Sequence, residues 1–279
     1  MGDAHGAGSG REISLSNLRA IYIIWYRDLL RFWRDRVRLA TSFVQPFLFL
    51  VVFGTGISTS MFHMAGAGSD FNYVEFIFPG IIGMVVLFTA IMSGVSIVWD
   101  REFGFLKEIL VAPVSRSAVA MGKTMGGATI ATIQGLLMLV FIPFVDISVS
   151  ADQVLLLIPL MFLTAFSLTA MGILIASRIQ TMETFQVVMQ LLLFPMLFLS
   201  SALFPVHNLP SWLGTAVKIN PVSYGIDALR QAVLGPAGAS AYGISLFGHE
   251  MSIAGDVMIV ALFGLIMVIL GVWSFGTQK

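Results

Sequence analysis

Charge is scarce in this chain and cysteine is absent. Only 11% of its 279 residues are charged and 57% are hydrophobic, where a soluble domain carries about 25% charged residues. With a mean hydropathy of +0.92, too little polar surface exists to cover a water-facing body, so the composition points to an integral membrane protein. The lack of cysteine excludes disulfides, thiolate metal sites and a catalytic thiol. His5, His63, His207 and His249 are scattered without metal-ligand spacing, so no metal site is expected. A net charge of zero argues against nucleic acid as a partner.

What is present is a set of long runs without Asp, Glu, Lys or Arg. A first span reads from residue 40 to 57, within a charge-free stretch from Leu39 to Ser69. Five more occupy residues 77–99, 124–145, 153–177, 184–206 and 257–278. Each exceeds the ~20 residues that cross a hydrocarbon core as a helix, giving an all-α protein with six transmembrane helices. Pro79, Pro143, Pro159 and Pro195 lie at or inside these runs, which predicts kinks and breaks.

Ahead of the spans, residues 1–15 read as a disordered, Gly/Ala-rich tail, and residues 16–279 as a single transmembrane domain. From 16 to 38 the pattern is an amphipathic helix. Leu18, Ile21, Tyr22, Trp25, Leu29, Phe32 and Trp33 share one face, and Arg27, Arg31, Arg34 and Arg38 the other. That division suits a helix lying in the membrane interface. The N-terminal arm, the 100–123 region, Arg178 and Lys279 hold 13 of the 15 basic residues. The positive-inside rule therefore places both termini and that region in the cytoplasm.

Residues 100–116, DREFGFLKEILVAPVSR, form a charged amphipathic island between two charge-free runs. Arg101, Glu102, Lys107 and Glu108 face water; Phe103, Phe105, Leu106, Ile109 and Leu110 give an apolar side, and Pro113 ends the helix. A greasy face on a charged body suits docking into a groove of a soluble partner.

Residues 206–255 are too apolar for a loop and too interrupted for a span. A short helix leads to Asn220-Pro221, and a second, 222–234, is closed by Gly235-Pro236. Two readings fit: paired re-entrant helices in the outer leaflet, or an external cap in which Asp227 and Arg230 form a solvated pair.

Catalytic patterns are missing. Met121-Gly122-Lys123-Thr124 resembles the end of a phosphate-binding loop, but Ser117 stands where its first glycine is required. Asp70, Glu75, Asp146, Asp152, Glu183, Glu250 and Asp256 lie in connections or at span ends. An ion-coupled carrier needs ionisable groups at mid-membrane, so the energy for any transport is expected from a partner.

The order of features resembles the membrane subunit of ATP-binding-cassette exporters with the type V fold, the permease family of polysaccharide, nodulation-factor and daunorubicin-type drug export. The resemblance rests on Gln45-Pro46-Phe47, on Trp99 to Glu102 with Leu106 to Arg116, and on Phe204-Pro205, Leu209-Pro210, Asn220 to Tyr224 and Asp227 to Arg230. It implies a half-transporter, two copies of which face each other, each on a separate ATPase subunit that binds ATP and magnesium; this chain itself would bind no cofactor. It makes residues 16–38 the elbow helix. It makes Arg101, Glu102, Phe103, Gly104, Phe105, Leu106, Lys107, Glu108 and Leu110 the coupling helix to the ATPase. Asn220, Pro221, Tyr224, Asp227 and Arg230 would belong to an outer gate. Spans one, two and five would line the path, with Phe43, Phe47, Thr55, Met92, Gln190, Met196 and Phe198 as candidate contacts. The expected membrane is a prokaryotic inner or plasma membrane. The low charge favours an amphipathic or hydrophobic cargo, a drug, natural product or lipid. A lipid-linked glycan or polysaccharide stays open, and a secondary carrier is a third reading.

Overall fold

The structure, a computed structural model, describes residues 6–37, 41–42, 44–52, 73–103, 115–145, 147–206, 209–240, 242–246 and 249–276. It is a helical bundle. Helix α1 spans Gly6–Arg34, and residues 44–52 are helical. Then follow α2 (Tyr73–Met92), α3 (Val95–Glu102), α4 (Arg116–Leu137), α5 (Ala151–Arg178) and α6 (Met182–Phe198). Helices α7 (Ser211–Ile219), α8 (Pro221–Ser240) and α9 (Ile253–Gly276) complete the chain. A two-residue hairpin, β1 (Ser245–Leu246) with β2 (His249–Glu250), precedes α9 and was not foreseen; strands this short carry no alternation to read.

Among the described residues four helical stretches are long and apolar enough to cross a membrane: Tyr73–Glu102, Arg116–Pro143, Ala151–Arg178 and Ile253–Ser274. They match the second, third, fourth and sixth charge-free runs. The first run lies mostly outside the described residues. The fifth overlaps a 17-residue helix, Met182–Phe198, which ends well short of Val206 where the run closes.

Local chemistry explains the ends. Ser150 and Gln153 form a reciprocal capping box on α5, and Thr181 caps α6. Helix α8 stops being regular at Gly235, whose φ of 72° suits glycine, matching the predicted Gly235-Pro236 stop. Pro143 sits in a 3-10 turn at the end of α4, and α2 and α3 part at Ser93-Gly94. Pro159 causes no break: α5 runs through it.

The core sits between α2, α4 and α5, with α8 and part of α6 closing it. One of its close crossings is glycine on glycine. A Cβ on Gly172 would stand 2.4 Å from the carbonyl oxygen of Ile91, and one on Gly94 would stand 2.6 Å from that of Gly172. Gly172→Val should therefore lower unfolding stability in detergent by about 1–3 kcal/mol. Gly271→Ala, with nothing within 4 Å of the added carbon, should leave it unchanged, as a thermal melt of both variants will read.

Helix α1 differs from its reading twice. It begins at Gly6, inside the expected tail, although Gly8 and Gly10 lie in its first turns. Its bundle-facing stripe is Ile21, Ile24, Trp25, Asp28 and Phe32, whereas Leu18, Tyr22 and Trp33 are exposed. The reason is α4, which runs alongside: Asn17 meets Ser115, Ile24 meets Gly122 and Asp28 meets Gly126. Small residues at 122 and 126 let the two helices approach. Trp25 donates its indole N–H to Thr129 at 3.0 Å.

Candidate functional site

Three polar constructions interrupt the apolar body. The first lies where α3 ends and residues 100–116 begin. The Arg101 guanidinium donates to the carbonyls of Ile179 (2.8 Å) and Ser177 (2.9 Å), satisfying acceptors left open at the end of α5. The Glu102 carboxylate accepts the backbone N–H of Met182 at 3.0 Å, at the start of α6, where a helix N-terminus favours an anion. Two adjacent side chains thus bolt the base of the 100–116 segment to the α5–α6 connection. Phe103 is exposed, edge-on to Trp99 at 5.5 Å. Gly104, Phe105, Leu106, Lys107, Glu108 and Leu110 lie outside the described residues.

The second construction centres on Lys123, which is buried. Its ammonium lies 3.4 Å from Asp100, 3.8 Å from Asp28 and 3.0 Å from the Ser96 hydroxyl. Three helices meet on one cation: α1, α3 and α4. Sequence reading counted Lys123 as an orienting charge and as part of an incomplete phosphate-binding pattern; a lysine beside Gly122, Gly126 and Gly127, with two aspartates elsewhere, was the signal available. A cavity of about 340 Å³ opens beside it, and Thr89 also lines a second of about 190 Å³ with Gln45, Phe88, Met92 and Gln134. The Thr89 hydroxyl donates to the Gln134 side chain.

The third lies around α8. Asp227 and Arg230 are fully buried, with 3.7 Å between charged atoms, so the solvated external pair is overturned. Arg230 donates to the backbone carbonyl of Ser201 and stands 4.3 Å from the Phe76 ring centre. The Gln231 amide spans two carboxylates, Asp227 (3.1 Å) and Asp256 (2.9 Å). Asp256, expected in a connection or at a span end, stands in the first turn of α9 and is likewise fully buried. This cluster explains why α6 is short. Past Phe198 the chain turns, and distant donors take its carbonyls: Asn220 holds Met196 (2.7 Å), Ser223 holds Leu199 (3.4 Å), Arg230 holds Ser201 and Tyr73 holds Leu203 (2.9 Å). Pro221 opens α8, and the Tyr224 hydroxyl donates to the Lys218 carbonyl at 2.6 Å, pinning α7 to α8.

The seven candidate path residues are not gathered on one wall. Met92 lines the smaller cavity. Phe47 is half-exposed against Phe141, 5.4 Å between centres, and Gln190 and Phe198 are exposed on α6. Met196 is partly buried against the core. Phe43 and Thr55 lie outside the described residues. Sequence reading missed Gln45, Thr89 and Gln134, which look ordinary until α2 and α4 bring them together. Among the described residues no group of His, Cys, Asp and Glu could hold a metal ion.

The comparisons agree with this architecture. A transport permease of Cyanophora paradoxa, ycf38, is 28% identical over 215 residues, covering 76% of this chain and 73% of that one. The Escherichia coli K12 inner membrane transport permease YadH is 27% identical over 222 residues, covering 77% and 83%. YbhR of the same strain, named as a multidrug ABC transporter permease, is 28% identical over 172 residues, covering 59% and 45%. The ABC-2 type transporter family matches residues 19–234. A helical bundle with, among its described residues, four apolar spans of membrane length and two buried charge clusters, around Lys123 and around Arg230, belongs to that ABC-2 type transporter family as a transport permease.

Proposed function

We propose that this chain is the membrane half of an ATP-driven exporter that moves an amphipathic or hydrophobic compound outward. It crosses the membrane six times, with the basic end, both termini and residues 100–116 in the cytoplasm. Helix α1 serves as the elbow, and α7 and α8 as the re-entrant outer pair. Two copies face each other, each on a separate ABC ATPase subunit that holds ATP and magnesium. The family implies such an ATPase partner, and this chain itself supplies coupling rather than catalysis.

The observation that carries the reading is the bolt formed by Arg101 and Glu102. A coupling segment works only if its movement reaches the path. Here its base is fixed to the end of α5 and the start of α6 through three hydrogen bonds. A push on the segment therefore moves both helices, and α6 carries Gln190, Met196 and Phe198. The far end of α6 is held by Asn220, Ser223 and Arg230, which links the segment to the outer pair through one helix. The name of YbhR, a multidrug permease, favours a drug-like cargo. Inside-out vesicles carrying the chain with its ATPase should accumulate a hydrophobic fluorescent cation or drug only when ATP is hydrolysed. Accumulation that follows an imposed ion gradient without ATP would overturn the proposal.

A further inference from the structure

We infer that the cavity between α1, α3 and α4 is a binding site for the head of a zwitterionic amphiphile, whose tail lies in the adjoining cavity along α2. This deepens the exporter reading by naming the chemistry of the compound that reaches its path. The larger cavity, about 340 Å³, is lined by Asp28, Arg31, Asp35, Trp99 and Lys123, with the Ser93 and Ser96 hydroxyls between them. Two anionic and two cationic side chains share one wall, so the lining has no net charge. A simple anion or cation there meets as much repulsion as attraction, whereas a molecule with both signs can pair with both.

The parts are placed for that pairing. Lys123 is fixed from behind by Asp28, Asp100 and Ser96, so it is a rigid positive point at the back of the cavity. Arg31 lies over Trp99 at 5.9 Å and presents a planar fork that suits phosphate or carboxylate. Asp35, just past the end of α1, suits an ammonium, and Trp99 offers it an aromatic face. Polar walls then give way to apolar ones. Thr89 belongs to both cavities, and the second, about 190 Å³, is flanked by Met84, Val85, Phe88 and Met92. Beside it Val44 and Leu48 expose more than half of their surface, giving an alkyl tail a further apolar path. A charged chamber that shares Thr89 with a groove apolar along α2 and polar at Gln45 and Gln134 suits an amphiphile.

Two sources share this chemistry: a bilayer phospholipid with a phosphoethanolamine head, and a zwitterionic cargo. The test uses the purified full-length chain in a non-ionic detergent and native mass spectrometry. The probe is lysophosphatidylethanolamine, compared with a single-chain phosphate and a single-chain ammonium of equal tail length. The zwitterion should bind about tenfold tighter than either singly charged amphiphile. Arg31→Gln and Asp35→Asn change exposed side chains, so folding is retained, and each should weaken zwitterion binding about tenfold. Equal affinity for all three probes, or unchanged zwitterion binding in both variants, overturns the inference. Phospholipid already bound after extraction assigns the bilayer as source; a site that fills only on adding the probe assigns a cargo. Binding is read on the chain alone, so its loss defeats this inference, whereas absence of an ATPase partner defeats the exporter reading.

Discussion

Arg230→Ala should lower unfolding stability by about 3–5 kcal/mol, because it leaves the buried Asp227 carboxylate without its cation. Asp227, Arg230 and Asp256 all have no solvent exposure, and water cannot replace the guanidinium. The loss extends to the turn after α6, where the Ser201 carbonyl would lose its donor. Asp256→Asn should behave differently. It removes one of the two carboxylates that share the Gln231 amide, the one not paired with Arg230, and keeps an oxygen for that amide. Its stability should fall within roughly 1 kcal/mol of the wild type, or above it. Unfolding of both variants in mixed detergent micelles reads the contrast. If Arg230→Ala unfolds no more readily than Asp256→Asn, the cluster is not held by charge pairing.

Glu102→Lys should abolish coupling, with ATP-dependent export reduced more than about tenfold while hydrolysis by the partner continues. The substitution places a cation at the N-terminus of α6, where the helix dipole disfavours it, and deletes the acceptor of the Met182 N–H. Glu102→Gln keeps an oxygen acceptor at that position and should retain most of the export. Leu106→Lys, on the predicted docking face, should give the same uncoupled state by a different route, weakening the seat rather than the bolt. Paired assays of vesicle transport and phosphate release separate the two activities. Normal export in Glu102→Lys and Leu106→Lys would remove the coupling role from this segment.

The sequence reading succeeded where the determinant is local. Charge-free runs located α2, α4, α5 and α9. Gly235-Pro236 ended α8 as expected. It failed where the determinant is distant. Helix α6 was read to Val206 because the run stays apolar that far. It ends at Phe198 because Asn220, Ser223, Arg230 and Tyr73 supply donors to the turn beyond it. The inward face of α1 was misjudged because Asp28 looks like a surface charge until Lys123 appears behind it. The Asp227–Arg230 pair was found by spacing, but its burial depends on Phe76, Ser201 and Asp256, which no local pattern brings together.

The central claim is that this permease is driven by a separate ATPase through residues 100–116. Its most direct test is purification of the chain from native membranes in mild detergent, with mass spectrometry of what accompanies it and a phosphate-release assay. The account predicts one soluble ATPase subunit per copy, with hydrolysis in the complex, and loss of that subunit when the Phe105, Leu106 and Leu110 face is replaced by charge. A chain that purifies without an ATPase, or that keeps it after those replacements, would contradict the account.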